Sequence, residues 1–279
     1  MAYHRPRQLS EALSLLHSTS AVVLAGGSDL YPAHPGRQLP GDVLDLTAIG
    51  ALSGISSSDD GWRIGATTTW STIARADLPP AFQALQQAAR EVGAIQIQNS
   101  GTIGGNLCNA SPAADGVPPL LVLDAEVELA SARGDRRLPL AEFITGVRRT
   151  ALQPGEIVTA VHVPSSAANG VAAFGKLGAR AYLVISIAMV AVRLELAQGR
   201  IRAARVAVGS CSPVATRLTG FEAALIGGKA DQPATWRDAL AGDISQRLTP
   251  IDDIRADAAY RCEAVEKLVI RALAQAEAA

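Results

Sequence analysis

Two pairs of adjacent glycines are the residues of this 279-residue chain whose type and spacing most directly suggest chemistry. Gly26-Gly27 follows a short apolar run, and Gly104-Gly105 lies beyond a stretch with helical spacing. Because glycine lacks a Cβ and adopts positive φ readily, successive backbone N–H groups in such a turn can converge on an oxyanion. Two turns of this kind that meet in space predict a site for the two halves of a pyrophosphate. The alternative is that both pairs are simple turns.

Polar side chains directly follow each glycine pair. Ser28 comes after the first pair and Asn106 after the second, and each could add a hydrogen-bond donor to the site. Ser111 and Asp115 lie a few residues further on. The Asp115 carboxylate could accept hydrogen bonds from the vicinal hydroxyls of a sugar or sugar alcohol. Equally, Ser111-Pro112 and Asp115 could cap a helix, so both interpretations stay open.

Several other chemistries are excluded by missing residues. The segment Gly170 to Lys176 fits the first seven positions of a P-loop, but Leu177 replaces the Ser or Thr that would bind magnesium. The chain contains no GxGxxG, no GxSxG and no Ser-His-Asp order. Its three cysteines and four histidines are scattered without ligand spacing, so we expect no metal site, no iron–sulfur cluster and no disulfide framework on this chain.

Composition narrows the class of protein further. The formal net charge is -1, which argues against nucleic-acid binding. Hydrophobic residues make up 48% of the chain, enough to bury a core. The longest nearly apolar run, Ala181 to Val192, stops at Arg193 and is too short to span a bilayer. The N-terminus lacks the apolar region of a secretory signal, so we expect a cytoplasmic protein.

The pattern of apolar residues predicts an α+β protein. A helix from Ser10, short buried strands at 21–25 and 43–46, and a hairpin around the turn formers 56–61 are expected first. A helix over 81–92 leads into the second glycine pair, and strands are expected over 120–130, 136–140 and 157–163. Beyond a junction at 164–170, apolar runs on either side of Gln198-Gly199 predict an antiparallel sheet. Helical spacing returns over 218–226 and 257–276.

The two glycine motifs together resemble those of one known family. The segments 25–30 and 102–115 look like the FAD-binding medium subunit of the molybdenum hydroxylases, the family of xanthine dehydrogenase and aerobic carbon monoxide dehydrogenase. The likeness extends along the chain, through Phe174-Gly175-Lys176 with Arg180 and through the segment 252–261. The combination of motifs is specific, whereas either glycine pair alone is not.

The resemblance implies a fold and a set of site residues. It implies an FAD-binding domain of the vanillyl-alcohol-oxidase/PCMH type over residues 1–170, with subdomains of about 1–55 and 56–170. A C-terminal domain with an antiparallel sheet and helices would occupy 171–279. The residues implied for noncovalent FAD are Leu24, Ala25, Gly26, Gly27, Ser28, Asp29, Leu30, Thr102, Ile103, Gly104, Gly105, Asn106, Ser111, Asp115, Val158, Thr159 and Lys176. Tyr182 is the candidate for the residue beside the flavin ring.

The resemblance also implies partners. Electrons would reach FAD from [2Fe–2S] clusters on a small subunit, after substrate oxidation at a molybdopterin centre on a large subunit, in a dimer of heterotrimers. FAD would then deliver them to an external acceptor. Two alternatives stay open: a standalone FAD-dependent oxidoreductase of the same fold, and a non-catalytic partner-binding protein whose glycine pairs are only turns.

Overall fold

The computed structural model describes residues 2–39, 41–229 and 236–278. A small parallel sheet opens the fold, with strands β1 (Tyr3–His4), β2 (Val22–Leu24) and β3 (Val43–Asp45) in the order β1-β3-β2. Helix α1 (Leu9–Ser18) packs on it and buries Ala12. The helix begins at Leu9, one residue before the predicted start at Ser10, and Gln8 is extended at its N-terminus.

A second, antiparallel sheet follows, with β10 at its centre. Its strands are β4 (Ile55–Ser58), β5 (Gly61–Gly65), β6 (Glu126–Ser131), β7 (Gly134–Pro139) and β10 (Ile157–Pro164), in the order β4-β5-β10-β6-β7. The pairing of β4 with β5 confirms the predicted hairpin. A separate two-stranded ribbon lies between β7 and β10, and its strands are β8 (Ile144–Gly146) and β9 (Arg149–Thr150).

Helices connect β5 to β6 and cover the second sheet. They are α2 (Trp70–Arg75), α3 (Gln83–Glu91), α4 (Ile95–Ser100), α5 (Ile103–Asn109) and α6 (Val117–Val122), and a short helix, α7 (Leu140–Phe143), follows β7. The predicted strand over 120–130 is wrong in its first part, because Leu120 to Val122 belong to α6. Pro118 lies at the start of α6, where a missing N–H and a fixed φ favour a helix.

The third sheet is antiparallel, and both of its faces are buried. Strands β11 (Val171–Leu177), β12 (Ala188–Ala197), β13 (Arg200–Gly209) and β14 (Thr216–Arg217) pair in sequence order. Along β12, Met189 and Ala191 pack with the core of the second sheet, whereas Val190 and Val192 pack with the C-terminal helices. This alternation is what a strand buried on both faces requires. The helices are α8 (Thr219–Leu225), α9 (Arg237–Arg247) and α10 (Ala258–Glu277).

The predicted hairpin at Gln198-Gly199 is confirmed, although β12 begins at Ala188 and not at Ala181. The P-loop-like segment forms β11, a strand of an antiparallel sheet, so it has none of the geometry of a phosphate loop. In the part of the chain that the structure describes, no helix is both long and apolar enough to cross a membrane.

Candidate cofactor site

Both glycine loops line one open cleft of about 400 Å³. That volume is within the range of small-molecule sites, which runs from about 300 to 1,000 Å³. From the first loop the cleft is lined by Leu24, Ala25, Gly26, Gly27, Ser28, Asp29 and Leu30. From the second loop and its surroundings it is lined by Val92, Ile97, Gly101, Thr102, Gly105, Asn106, Cys108 and Asn109, with Trp70 and Val23 completing the wall.

The first loop starts where β2 ends, at the carboxyl edge of the parallel sheet. Gly27 has φ +68°, a conformation that favours glycine. Gly26 needs its hydrogen for a different reason, because a Cβ there would lie 1.9 Å from the carbonyl oxygen of Ser100. The bare Cα of Gly26 therefore lets the first loop touch the segment that leads into α5.

The first loop presents a row of free donors to the cleft. Among the residues that the structure describes, no acceptor is bound to the backbone N–H groups of Gly26, Gly27, Ser28 and Asp29. Successive unpaired N–H groups around a residue of positive φ form a concave anion site. The N–H groups at the first glycine pair are therefore available to an acceptor.

The second glycine pair differs from expectation, because it lies in the first turn of α5 and not in a turn of its own. The N–H groups of this helix end are already bonded. Gly104 N donates to Ala66 O at 2.8 Å, Gly105 N donates to the Thr102 hydroxyl at 3.1 Å, and Asn106 N donates to Thr102 O at 3.0 Å. The second pair thus offers close approach of the backbone and not a set of free donors.

Gly104 and Gly105 serve different contacts within α5. A Cβ on Gly104 would lie 2.7 Å from Ala66, so this glycine lets the helix pack on the end of β5. A Cβ on Gly105 would lie 2.9 Å from the hydroxyl of Thr102, which caps the helix. Gly105 is exposed and lines the cleft, whereas Ile103 is buried in the core.

Asn106 supplies an unpaired polar side chain at the cleft. Its Oδ1 atom is buried, and within the described chain it has no hydrogen-bond partner. A buried amide oxygen without a partner is costly, on the order of 1–3 kcal/mol. Ser28 Oγ lies on the opposite wall and also makes no hydrogen bond among the described residues. The Ser28 hydroxyl is thus available as a donor to a polar ligand, whereas Asn106 Oδ1 can only accept a hydrogen bond.

An apolar cavity of about 170 Å³ adjoins the cleft and shares part of its wall. Ala25, Gly105 and Cys108 line both spaces, and Val158 lines only the smaller one. Thr159 is buried at a bulge of β10, and its hydroxyl donates to Glu128 Oε1 at 2.8 Å. The structure therefore brings Val158 to the site but directs the Thr159 side chain away from it.

The other predicted residues lie outside the cleft. Ser111 Oγ accepts a hydrogen bond from Ala113 N within the turn that precedes α6. Asp115 and Lys176 form an ion pair, with Lys176 Nζ 2.7 Å from Asp115 Oδ2. Tyr182 is 61% exposed on the loop between β11 and β12, and it has φ +69°. Its neighbour Leu183 donates a hydrogen bond to Gly93 O at 3.1 Å, close to the wall residue Val92.

Two residues near the cleft were not expected from the sequence. Trp70 is buried under the second loop, where a Cβ on Gly116 would lie 2.4 Å from its ring. Arg148 reaches the rim and forms an ion pair with Asp29 of 3.0 Å. No sequence pattern marks either residue, because Arg148 is separated from Asp29 by 119 positions.

The donor set at the cleft fits a pyrophosphate. Free N–H groups, a hydroxyl and an amide suit phosphate oxygens. Among the residues that the structure describes, no group of three His, Cys, Asp or Glu side chains could hold a metal ion. The α+β fold and the backbone donors of the cleft suit a protein that binds a nucleotide cofactor.

Comparison with known proteins identifies the family to which this chain is similar. The model of the FAD binding domain in molybdopterin dehydrogenase matches residues 1–166, and that of the CO dehydrogenase flavoprotein C-terminal domain matches residues 173–276. The xanthine dehydrogenase FAD-binding subunit of Escherichia coli O157:H7 is 30% identical over 100% of this chain and 96% of its own. The carbon monoxide dehydrogenase medium chain of Afipia carboxidovorans is 32% identical over 99% and 96%.

The fold agrees with these relatives. A chain of reconstituted CO dehydrogenase from Oligotropha carboxidovorans superimposes with a TM-score of 0.90 at 28% identity, over 100% of this chain and 98% of that one. The chain belongs to the family of FAD-binding medium subunits of the molybdenum hydroxylases. It is an oxidoreductase flavoprotein with FAD as its cofactor.

Proposed function

We propose that this chain is the flavin relay of a heterotrimeric molybdenum hydroxylase. It would accept electrons from [2Fe–2S] clusters on a small subunit and pass them to an external acceptor, while a large subunit carries molybdopterin. The observation that carries the proposal is the cleft with free N–H groups at Gly26 to Asp29, in a member of this FAD-binding family. When bound, FAD supplies the electron-accepting and electron-donating chemistry.

The residues of the cleft would hold the cofactor by its pyrophosphate. The N–H groups of Gly26 to Asp29 donate to phosphate oxygens, and Ser28 Oγ and Asn106 add side-chain hydrogen bonds. Gly105 provides close approach where its Cα faces the cleft. The cleft and the adjoining apolar cavity at Val158 together suit a dinucleotide. This supports FAD more strongly than FMN.

The ring end of the cofactor would lie toward the third sheet. Tyr182, Lys176, Val158 and Thr159 stay the proposed residues near the flavin ring. Ser111 and Asp115 stay the proposed residues near its sugar hydroxyls. The Asp115 carboxylate already accepts hydrogen bonds from Lys176 Nζ and Ser186 Oγ, each at 2.7 Å. A hydroxyl would therefore bind to the remaining lone pairs of this carboxylate.

The partner subunits follow from the chemistry that this chain lacks. Of its three cysteines, Cys108 is exposed, Cys211 is buried and Cys262 is half-buried. Within the described residues no metal-binding group occurs, so clusters and molybdenum would be held elsewhere. The relatives are named as medium chains or FAD-binding subunits, which supports the same division. We further propose a dimer of heterotrimers in the cytoplasm, with domains at 1–170 and 171–279.

Reconstitution tests the relay. The isolated chain with FAD is expected to be reduced by dithionite but not by any hydroxylase substrate. Adding the cluster-bearing and molybdopterin subunits is expected to restore substrate-dependent bleaching of the flavin in anaerobic stopped-flow spectra. Substrate turnover by the lone chain would favour the standalone oxidoreductase. Absence of bound flavin would favour the non-catalytic partner-binding protein.

A further inference from the structure

The rim of the cofactor cleft carries an arginine that no sequence motif marks. Arg148 lies in the turn between β8 and β9, and its Nη1 atom is 3.0 Å from Asp29 Oδ2. The same nitrogen donates to the side-chain oxygen of Asn109. Asp29 and Asn109 both line the cleft, one on each glycine segment. Arg148 therefore joins the two walls at the rim.

The backbone of Arg148 is held in an uncommon conformation. Its φ is +56°, which non-glycine residues adopt at a cost, and its N–H donates to Ala110 O at 2.9 Å. Ala110 is itself left-handed and ends α5. The turn is thus fastened to the end of the helix that carries the second glycine pair, and this fixes where the guanidinium reaches.

Charge explains why an arginine is needed there. Among the described residues, no Lys, Arg or His lines the cleft, whereas Asp29 adds a carboxylate to the loop that carries the unpaired N–H groups. An unpaired carboxylate next to bound phosphates would repel them. The Arg148 guanidinium cancels that charge at hydrogen-bond distance, and it does so from the rim without occupying the anion site.

We propose that Arg148 is a positioning residue for FAD binding, which acts by neutralising Asp29 and so keeps the first glycine loop receptive to a pyrophosphate. The inference rests on the placement of the FAD pyrophosphate in this cleft and is independent of electron transfer. Asp29 in turn holds the guanidinium against Asn109, so that the loop and the end of α5 stay together when the site is filled.

The test is a charge-rescue experiment on the full chain stripped of flavin. Binding of FAD, and of inorganic pyrophosphate as a minimal probe, is measured by titration calorimetry at low salt. Arg148→Gln is expected to weaken FAD binding about tenfold, because it leaves Asp29 uncompensated. Asp29→Asn is expected to bind FAD at least as tightly as the unchanged chain. The double variant is expected to recover most of the loss.

The salt dependence of FAD binding is a second measurement, because the proposed repulsion between the Asp29 carboxylate and the phosphates acts through solvent at the rim. The defect of Arg148→Gln is expected to shrink at about 1 M NaCl, where the screening length is about 3 Å. Arg149→Gln is the matched control, since Arg149 is the exposed neighbour and forms no ion pair among the described residues. Thermal unfolding of each variant checks that the fold is retained.

Two outcomes would overturn the proposal. If the double variant binds FAD as weakly as Arg148→Gln, the arginine acts by direct contact with the cofactor. If Asp29→Asn binds FAD as weakly as Arg148→Gln, the ion pair acts by holding the two walls of the cleft together and not by neutralising charge. Gly26→Ala distinguishes this inference from the placement of FAD in the cleft. If Gly26→Ala loses FAD while the Arg148 and Asp29 variants bind it unchanged, FAD binds in the cleft but Arg148 does not position it. Retention of FAD by Gly26→Ala would remove the site assignment itself.

Discussion

Lys176 Nζ lies 2.7 Å from Asp115 Oδ2, and this contact joins strand β11 of the third sheet to the segment between α5 and α6. The two side chains are only 6% and 10% exposed. Burial raises the pKa of the Asp115 carboxyl, and Lys176 and Ser186 oppose that rise. The C-terminal sheet therefore shares a buried ion pair with the part of the chain that carries the cofactor cleft.

Breaking this pair should destabilise the whole chain. Lys176→Met removes the cation and leaves the Asp115 carboxylate buried without its counter-charge, which is expected to lower the free energy of unfolding by about 3–5 kcal/mol. Replacing both partners, as Lys176→Met with Asp115→Leu, should recover much of that loss because no buried charge remains. Urea unfolding of the flavin-free chain measures both. A single variant as stable as the parent would show that the pair contributes nothing.

Gly26→Ala should abolish FAD binding through a clash in the loop itself. The new methyl group would lie 1.9 Å from Ser100 O, so the first loop must move away from the end of α4 and the cleft must open. Gly50→Ala is the matched control, because a Cβ at Gly50 has no heavy atom within 4 Å and its φ is ordinary. Gly227 is unsuitable as a control despite its open surroundings, because its φ is +80°. Flavin content after gel filtration distinguishes the variants, and a yellow Gly26→Ala protein would contradict the assignment.

His162 should make the chain sensitive to acid. Burial, helped by Arg137, lowers the pKa of its imidazole below the usual value of about 6.5, against the opposing effects of Glu126, Asp60 and Glu128. The unfolded chain then binds the proton more tightly, so stability falls as pH drops through about 6.5 toward the lower folded pKa. The buried Nδ1 atom has no hydrogen-bond partner within the described residues.

His162→Gln should flatten that part of the stability curve, because glutamine does not titrate. Urea unfolding at a series of pH values from neutral to mildly acidic measures the slope in both proteins. His17→Gln is a control on an exposed helix position. Equal slopes for the parent and His162→Gln would contradict the prediction.

Arg193 should be needed for stability although it lies far from the cleft. Its side chain is 4% exposed, and it donates to Val122 O at 2.8 Å and to Ala167 O at 3.0 Å. Arg193→Met would leave these carbonyl groups buried without that donor, at an expected cost of about 3 kcal/mol in the free energy of unfolding. Arg202→Met is the control, because Arg202 is exposed and forms no ion pair among the described residues. Equal unfolding midpoints would show that water or neighbours replace the guanidinium.

The sequence correctly predicted those elements that depend on residues close together in the chain. The hairpins at Asp59-Asp60 and Gln198-Gly199 follow from turn formers between apolar runs, and both are present. The first glycine turn follows from Gly26-Gly27 after a short apolar run, although the strand there is not buried as predicted, because Val23 is 41% exposed. These features depend on backbone freedom and on alternation, which neighbouring residues alone determine.

The features that the sequence did not predict depend on contacts between distant segments. Leu120 to Val122 form a helix within an apolar run, and periodicity alone does not separate a buried helix from a buried strand. Gly104 and Gly105 are helical because α5 packs on Ala66, a contact that tertiary structure supplies. Arg148 meets Asp29 only after the ribbon folds back on the first loop, so no local pattern could reveal it.

The placement of the FAD pyrophosphate on the first glycine loop is tested most directly by amide hydrogen exchange, followed by NMR on the full chain with and without FAD. The amides of Gly26, Gly27, Ser28 and Asp29 have no acceptor among the described residues, and they are expected to exchange rapidly without FAD and slowly with it. The amides of Gly104 and Gly105 are already bonded and are expected to be protected in both states. Unchanged exchange at Gly26 to Asp29 in a chain saturated with FAD would contradict the placement.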